Sequence, residues 1–397
     1  MMPIKHAAHF LNGAAFKPSD WGDTGLPILR IAQLTGKPFD NYFDGKINRG
    51  FLIQDGDLLF SWSATIDAFI WDRGNAILNQ HIFKVLPQKN ALKKYLYYVI
   101  KAHAPRWADD DAHGSTMRHI KKESLSNKVW IPDLETQRLI ATFLDRETAR
   151  IDQLIEKKQR LVDVLKERLL SELERLTTPE ESLHSEFVPF RWICRITEGQ
   201  VDPTAPEWAD KPLIAPNHIE SRTGRLIAIE TAEEQGAISG KYAFPSGTVV
   251  YSKIRPNLAK ACVSPIAGMC SADMYPILPN KSLRSQFLLM QLLSAKFTDW
   301  AALESMRVAM PKINRETLGA YRFWVPKLAV QDQAIRRFSS EQRTIEHVSD
   351  KVRVSIDQMR EFRSSLITAA VTGQIDLATL SKSGQTNRHL DQIEEAT

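Results

Sequence analysis

Cysteine is scarce in this 397-residue chain, with only Cys194, Cys262 and Cys270 present. An odd, scattered set provides neither a disulfide framework nor metal-ligand spacing, and it points to a reducing compartment. No uninterrupted apolar run reaches the ~18 residues of a membrane helix. The opening MMPIKHAAHFLNGAAF lacks the basic start and continuous apolar core of a secretory signal. The expectation is a soluble, cytoplasmic protein. Excess charge is slight as well, a net +5 with a pI of about 8.9. Such a balance is compatible with nucleic acid and equally with many other partners, so it does not decide function. The hydrophobic share of 43% and charged share of 25% are those of an ordinary globular protein long enough for two or three domains.

Catalytic signatures are missing too. A P-loop needs a glycine-rich turn of fixed length followed by Lys and Ser/Thr. Gly236-Ala237-Ile238-Ser239-Gly240-Lys241 is one residue short and Tyr242 follows it, so it reads as a turn. There is no G-x-G-x-x-G, no Asn- or Asp-Pro-Pro-aromatic loop to hold a flipped base, and no H-E-x-x-H or paired-Cys motif. Asp109-Asp110-Asp111, with His113 and Gly114 nearby, reads better as a solvated loop than as a metal site. Glu135 after Pro132-Asp133 is followed by Thr136 and Gln137, where a nuclease needs lysine. The residues for phosphoryl or methyl transfer are absent, no metal site is expected, and the chain reads as non-catalytic.

What the chain has is itself, twice. Gly56-Asp57-Leu58-Leu59-Phe60-Ser61-Trp62 matches Gly247-Thr248-Val249-Val250-Tyr251-Ser252-Lys253 at an offset of 191 residues. Leu92 and Leu283 open similar helical runs at the same offset. Trp130-Ile131-Pro132-Asp133-Leu134 matches Trp324-Val325-Pro326-Lys327-Leu328 at 194, each followed by glutamine, Gln137 and Gln331. The period is far longer than that of a solenoid, so a domain plus a helix has been duplicated. Each half begins with short β-like runs punctuated by Gly, Pro and Asn. A helix follows (about 92–105 and 283–303), then a short strand, then a long helical segment. The fold class is α+β.

The long segments carry narrow apolar seams. In the first, Leu144, Ile151, Leu154, Leu161, Leu165 and Leu169 recur among charged residues, and in the second Phe338, Ile345, Val348, Val352, Met359, Phe362 and Leu366 do so. Spacing of this kind belongs to a coiled coil more than to a globular core. Lys158 and Ser355 interrupt the two seams. The pseudo-twofold plan predicts an antiparallel pair through Leu144, Ile151, Leu154, Leu161, Leu165, Ile345, Val348, Val352, Met359 and Leu366, with one globule at each end. The alternative is that each helix packs on its own globule.

The segment from Pro132 to Lys158, with Phe143-Leu144-Asp145-Arg146-Glu147-Thr148-Ala149-Arg150-Ile151-Asp152 at its centre, closely resembles the central helical region of Type I restriction–modification DNA-specificity subunits. Leu366 to Asp376 resembles the close of that family's second helical region. Asn79-Gln80-His81-Ile82-Phe83 and Tyr251 to Asn257 look like patches of its target-recognition domains. The resemblance runs from about residue 26 to 376 in the family's order. It departs at Ser171-Glu172-Leu173-Glu174-Arg175-Leu176, where a small-residue tail is missing. It departs again after Gln331-Asp332-Gln333, where Phe338 is displaced by one residue.

The resemblance implies target-recognition domains at 1–132 and 179–325 and helical regions at 133–178 and 326–376, and the polar tail at 377–397 is expected to lack ordered structure because Ser381 to Thr397 shows no periodicity. The resemblance also implies double-stranded DNA with a bipartite site as target. Two methyltransferase subunits and restriction (translocase/nuclease) subunits are the implied partners. S-adenosylmethionine, ATP and magnesium would sit on those partners and no cofactor on this chain. The outer helix faces, with Glu135 to Arg146, are the expected docking surface for the modification subunits. A helix over 145–176 spans ~48 Å, the scale of the ~34 Å between reading heads one DNA turn apart. One inserted turn near Gln159 is therefore expected to widen the gap between the half-sites.

Candidate DNA contacts are Lys253, Arg255, Asn257 and Lys260, on a strand-like run broken by Pro256. Such a loop can offer cations to phosphates and an amide to an adenine edge. Ser61, Trp62 and Ser63 hold the matching place in the first half. A second group comprises Arg118, His119, Lys121 and Lys122, with counterparts Lys312, Asn314 and Arg315. The plainer reading is solvated charge around turns, and Trp62, at the end of an apolar run, reads as core. Two other functions remain open: a duplicated coiled-coil scaffold without a nucleic-acid role, and the specificity module of another DNA-modification defence system.

Overall fold

The computed structural model describes residues 1–112, 118–179, 186–306, 311–376 and 390–393. Contacts gather the chain into two units, residues 1–159 with 351–397, and residues 160–350. Among the described residues no helix is long and apolar enough to cross a membrane.

In the first unit an antiparallel sheet runs in the order Ala8–Asn12, Ile82–Pro87, Leu58–Ser61, Asp67–Ile70. A second sheet runs Tyr42–Phe43, Leu26–Leu29, Ala76–Leu78, Leu52–Ile53, with one parallel pair. Leu58–Ser61 is buried along its whole length, and its alternation explains why. Leu58 and Phe60 enter a core with Tyr95, Leu96 and Val99 of the helix Lys93–Asp111. Leu59 enters a separate core with Leu29, Ile53 and Leu78. A strand covered on both faces needs a continuous apolar run rather than alternation. Gly56 opens this strand at φ +85, a conformation that costs glycine little.

The second unit repeats the plan. Its antiparallel sheet is Cys194–Ile196, Met274–Pro279, Val249–Ser252, Ala261–Val263. A five-stranded sheet accompanies it in the order Gln200–Val201, Lys241–Phe244, Gly268–Cys270, Pro212–Ile214, Glu230–Thr231. Val249 and Tyr251 face one core and Val250 another, as in the first unit. Gly247 repeats the left-handed turn at φ +81.

The helices after the sheets differ from expectation. The first does not stop at Pro105 but continues to Asp111. The second is divided into Ser285–Leu293 and Ala295–Ser305. Ser294 causes the break, because its hydroxyl accepts the N–H of Phe297 and starts a new helix. Each long helix has 44 residues, Leu134–Thr177 and Leu328–Val371. Asp133 begins the first by accepting the N–H of Thr136 at 2.9 Å. The second closes with Gly373 at φ +75, Gln374 N–H donating to Ala369 and Gly373 N–H to Ala370. That arrangement satisfies the last carbonyls of the helix.

Within each unit, parts of the two long helices lie antiparallel. In the first, Asp152 pairs with Arg363, and Leu144 and Ile151 share a core with Met359, Leu366 and Ile367. In the second, Arg168 meets Glu341 and Glu172 meets Arg337, one rising as the other falls in sequence. Most expected seam residues are buried or half-buried, but Leu161 is 46% exposed. Val162, at 2%, faces inward in its place. Leu161 and Val162 both lie three or four residues from Lys158 and Leu165, so either fits a helical stripe, and the packing selects Val162. Ser355 is fully buried on the second helix and its Oγ has no hydrogen-bond partner among the described residues.

The expectation of an unstructured tail also needs correcting at one place. Residues 377–389 and 394–397 lie outside the described residues, but Leu390 and Ile393 are buried in the core of the first unit. Their spacing of three puts both on one face of a helical turn.

One contact ties each globule to its long helix. Buried Gln137 accepts the N–H of Leu92 at 2.8 Å and donates to the carbonyls of Asn90 and Pro132, both at 2.8 Å. Gln331 does the same with Arg284 N–H, Ser282 and Pro326 at 2.8, 2.8 and 2.7 Å.

Candidate nucleic-acid interface

The two groups of candidate contacts meet in each unit. In the first, Ala64 N–H donates to Arg118 and Ile120 N–H to Trp62, at 3.2 and 2.8 Å, bridging Ser63 to His119. In the second, Arg255 N–H donates to Pro311 and Ile313 N–H to Lys253, both at 2.9 Å, bridging Ile254 to Lys312. Segments some 56 residues apart in sequence thus form the same two-loop junction twice.

The side chains divide by position. Arg255, Asn257 and Lys312 are exposed in the second unit, as are Arg118, Lys121 and Lys122 in the first. Arg255 holds φ +47, an uncommon conformation for a side chain of its size. It presents its side chain at the start of the turn Pro256–Leu258. Lys253 is half-buried with Nζ 5.3 Å from the Tyr275 ring centre. Arg315 lies over the same ring at 5.7 Å and over Tyr242 at 6.0 Å, and pairs with Glu198 at 2.9 Å.

Several candidates are consumed by the fold. Ser61 is buried, with Oγ 3.3 Å from the Ser63 carbonyl, and Ser252 repeats this with Ile254 at 3.1 Å. Ser63 is buried against His81. Neither serine can reach a groove edge. Trp62 sits against His81 and Phe83 and directs Nε1 to Asn12 and Gln80, as a core residue does. Lys260 donates to the Pro216 carbonyl at 2.6 Å. Asn314 caps the helix Arg315–Ala320 by accepting the N–H of Thr317 at 2.7 Å. Arg118 is paired with Asp109. Half-buried His119 joins the junction through the backbone bridge to Ser63.

The triple aspartate is spent in the same way. Asp109 holds Arg118, Asp110 faces Arg106 at 3.9 Å, and Asp111 accepts from Lys121 N–H and Ser124 Oγ at 2.9 and 2.6 Å. His113 and Gly114 lie outside the described residues. The turn near Lys241 closes on itself, with Nζ donating to Ser239 Oγ at 2.8 Å, and burial pushes the lysine down from its usual pKa.

Three polar residues near the junction escaped sequence reading. Arg191, Arg195 and Thr197 line an open pocket with Arg315. The signal available was positional: the RWICRIT run of the second half occupies the place of KHAAHFL in the first. Phe190 N–H bonds Tyr321 as Ile4 N–H bonds Asn127, fixing that register.

With this geometry in hand, comparison with known proteins is informative. Residues 3–163 match the family model described as the Type I restriction modification DNA specificity domain. The chain is 26% identical over 315 residues to the Type I restriction enzyme EcoDI specificity subunit of Escherichia coli, covering 71% of this chain and 70% of that protein. It is 26% identical over 163 residues to the EcoBI specificity subunit of the same organism, 40% of this chain and 34% of that one. Its fold matches a solved chain described under the structural basis of complex assembly and conformational transition of the type I R-M system. That match has a TM-score of 0.68 at 14% identity and covers 94% of this chain and 100% of the other.

Proposed function

We propose that this chain is a DNA-specificity subunit of the Type I restriction–modification kind, as the match of residues 3–163 supports, and that each unit reads one half of a bipartite duplex site. The observation that carries this reading is the two-loop junction built twice, with exposed cations beside it in each unit: Lys121 and Lys122 in one, Arg255 and Lys312 in the other. Exposed cations contact phosphates and set register on a duplex, while side chains at loop tips reach base edges. Two copies of one reading module match a target with two short parts and an unread gap.

The family is one of non-catalytic subunits, and the chemistry belongs to the partners. Methyltransferase subunits would carry S-adenosylmethionine for adenine methylation, and restriction subunits would carry ATP and magnesium. Two equivalent globule–helix junctions, each fastened by its glutamine, offer two equivalent places for a methyltransferase subunit. Exposed Leu134 and Leu139 mark that surface on the first long helix, and Leu328 and Val330 on the second.

Methylome sequencing of cells with and without the gene tests the reading. A bipartite adenine-methylated site is expected to vanish on deletion. An unchanged methylome, in cells where the protein is made together with its partners, sinks it.

A further inference from the structure

The pocket of about 500 Å³ in the second unit is lined by Arg191, Arg195, Arg315, Thr197 and Glu198, among others. Arg191 stands on the short helix Phe190–Ile193 and Arg195 on the edge strand Cys194–Ile196. Arg315 opens the helix that packs on the first of these. Three arginines thus line one opening whose lining includes a single carboxylate. Glu198 takes Arg315 at 2.9 Å and is itself 82% exposed. Neither Arg191 nor Arg195 has a carboxylate partner among the described residues. At the same opening the Thr197 hydroxyl is buried with no hydrogen-bond partner among the described residues. A buried donor without an acceptor is uncommon and invites one from a ligand.

The charge recurs by position. In the first unit Lys5 stands where Arg191 does, His9 on the edge strand where Arg195 does, and Lys121 and Lys122 where Arg315 opens its helix. Lysines stand in for Arg191 and Arg315, while an exposed histidine replaces Arg195. Thr197, however, is answered by Leu11, so the hydroxyl belongs to the second unit alone.

We propose that this pocket binds a backbone phosphate of the duplex, gripped by Arg191, Arg195 and Arg315 with Thr197 donating to a phosphate oxygen. The proposal rests on the reading of the chain as a DNA-specificity subunit. Guanidinium forks suit phosphate oxygens in pairs. Arg315 also links the pocket to the junction, since it shares the Tyr275 ring with Lys253. A phosphate held there fixes the register in which Arg255 and Lys312 meet the grooves.

The test uses the full chain in its assembled complex and a fluorescent duplex carrying its site, titrated over a range of salt. R191Q combined with R195Q is expected to weaken binding about tenfold and to reduce the slope of log K against log salt by about one to two. T197V should weaken binding about threefold and T197S should not. E198Q, which removes the competing carboxylate, should tighten it about threefold. In a series of duplexes with one methylphosphonate each, a single position should hurt the wild type and leave the double variant unchanged.

Wild-type affinity and slope in the double variant would overturn the proposal. So would normal DNA binding accompanied by loss of a partner subunit on gel filtration, which would assign the pocket to an acidic protein segment. Failure of the wild-type complex to retain any duplex is a separate outcome and overturns the DNA reading itself.

Discussion

The side-chain oxygen of Gln137 accepts the backbone N–H of Leu92 at 2.8 Å, binding the first turn of one helix to the first turn of another. Helix starts leave N–H groups without intrahelical partners, and here a glutamine from a different helix supplies one. Replacing Gln137 by Ala strands that N–H and the carbonyls of Asn90 and Pro132 in a buried site. A loss of about 2–4 kcal/mol is expected from three abandoned partners. Hydrogen exchange should show deprotection of Lys93–Asp111 in Q137A and of Ser285–Leu293 in Q331A. Equal exchange in both variants and the wild type would refute the idea.

The corrected seam gives a second expectation. Leu161→Ala should leave stability within about 0.5 kcal/mol of wild type, as exposed changes do, whereas Val162→Ala should cost about 1–3 kcal/mol. Ser355→Ala removes a buried hydroxyl without a partner and should raise stability by about 1 kcal/mol. Thermal unfolding of the three variants side by side decides the matter. A larger loss for Leu161 than for Val162 would restore the original seam.

Glu172 makes stability depend on acid. Arg175 first, then Arg337, holds its carboxyl below the usual glutamate range. A lowered native pKa contributes stability above the unfolded value of ~4.3, and that contribution fades as pH falls through the lower folded value. Glu172→Gln should therefore destabilise the second unit at pH 7. The difference from wild type should shrink as pH drops below about 4. A constant difference between pH 7 and pH 3 would show that the carboxylate charge is not responsible.

Gly373 should resist substitution. Its φ is +75, and an added Cβ would lie 3.4 Å from the Trp130 ring. Gly373→Ala is expected to cost about 1–2 kcal/mol from left-handed strain. Gly36, at φ +98 with open space around it, provides a control in which only backbone strain contributes.

The contact candidates divide into two experimental classes. Arg255→Ala with Lys312→Ala should weaken duplex binding about tenfold, most at low salt, with an unchanged melting temperature. Ser61→Ala and Asn314→Ala should lower the melting temperature and leave the salt slope alone. The reverse pattern would place the interface elsewhere.

The duplicated plan was legible because both copies preserve landmarks that packing requires: a left-handed glycine before a doubly covered strand, and a glutamine five residues beyond Pro132 and Pro326. The seam was legible in period but not in phase, since Leu161 and Val162 are equally apolar and only the partner helix decides between them. Ser61 and Ser63 read as polar loop residues because sequence does not show that a strand end is enclosed. The Asn314 cap was hidden by a function equally natural for asparagine. Arg191 and Arg195 were passed over because the pocket joins them to Arg315, more than a hundred residues away, and spacing along the chain cannot show that meeting.

The first unit draws its helical layer from 134–159 and also from 351–371. At a synthesis rate of ~5–20 residues per second, some two hundred residues and roughly 10–40 s separate the two contributions. The second unit, contiguous from 160 to 350, is complete before Met359, Leu366 and Val371 leave the ribosome. The surface around Leu144 and Ile151 must wait uncovered for that interval. The half made first is the half finished last, and during synthesis it is the one exposed to chaperones and to misassembly.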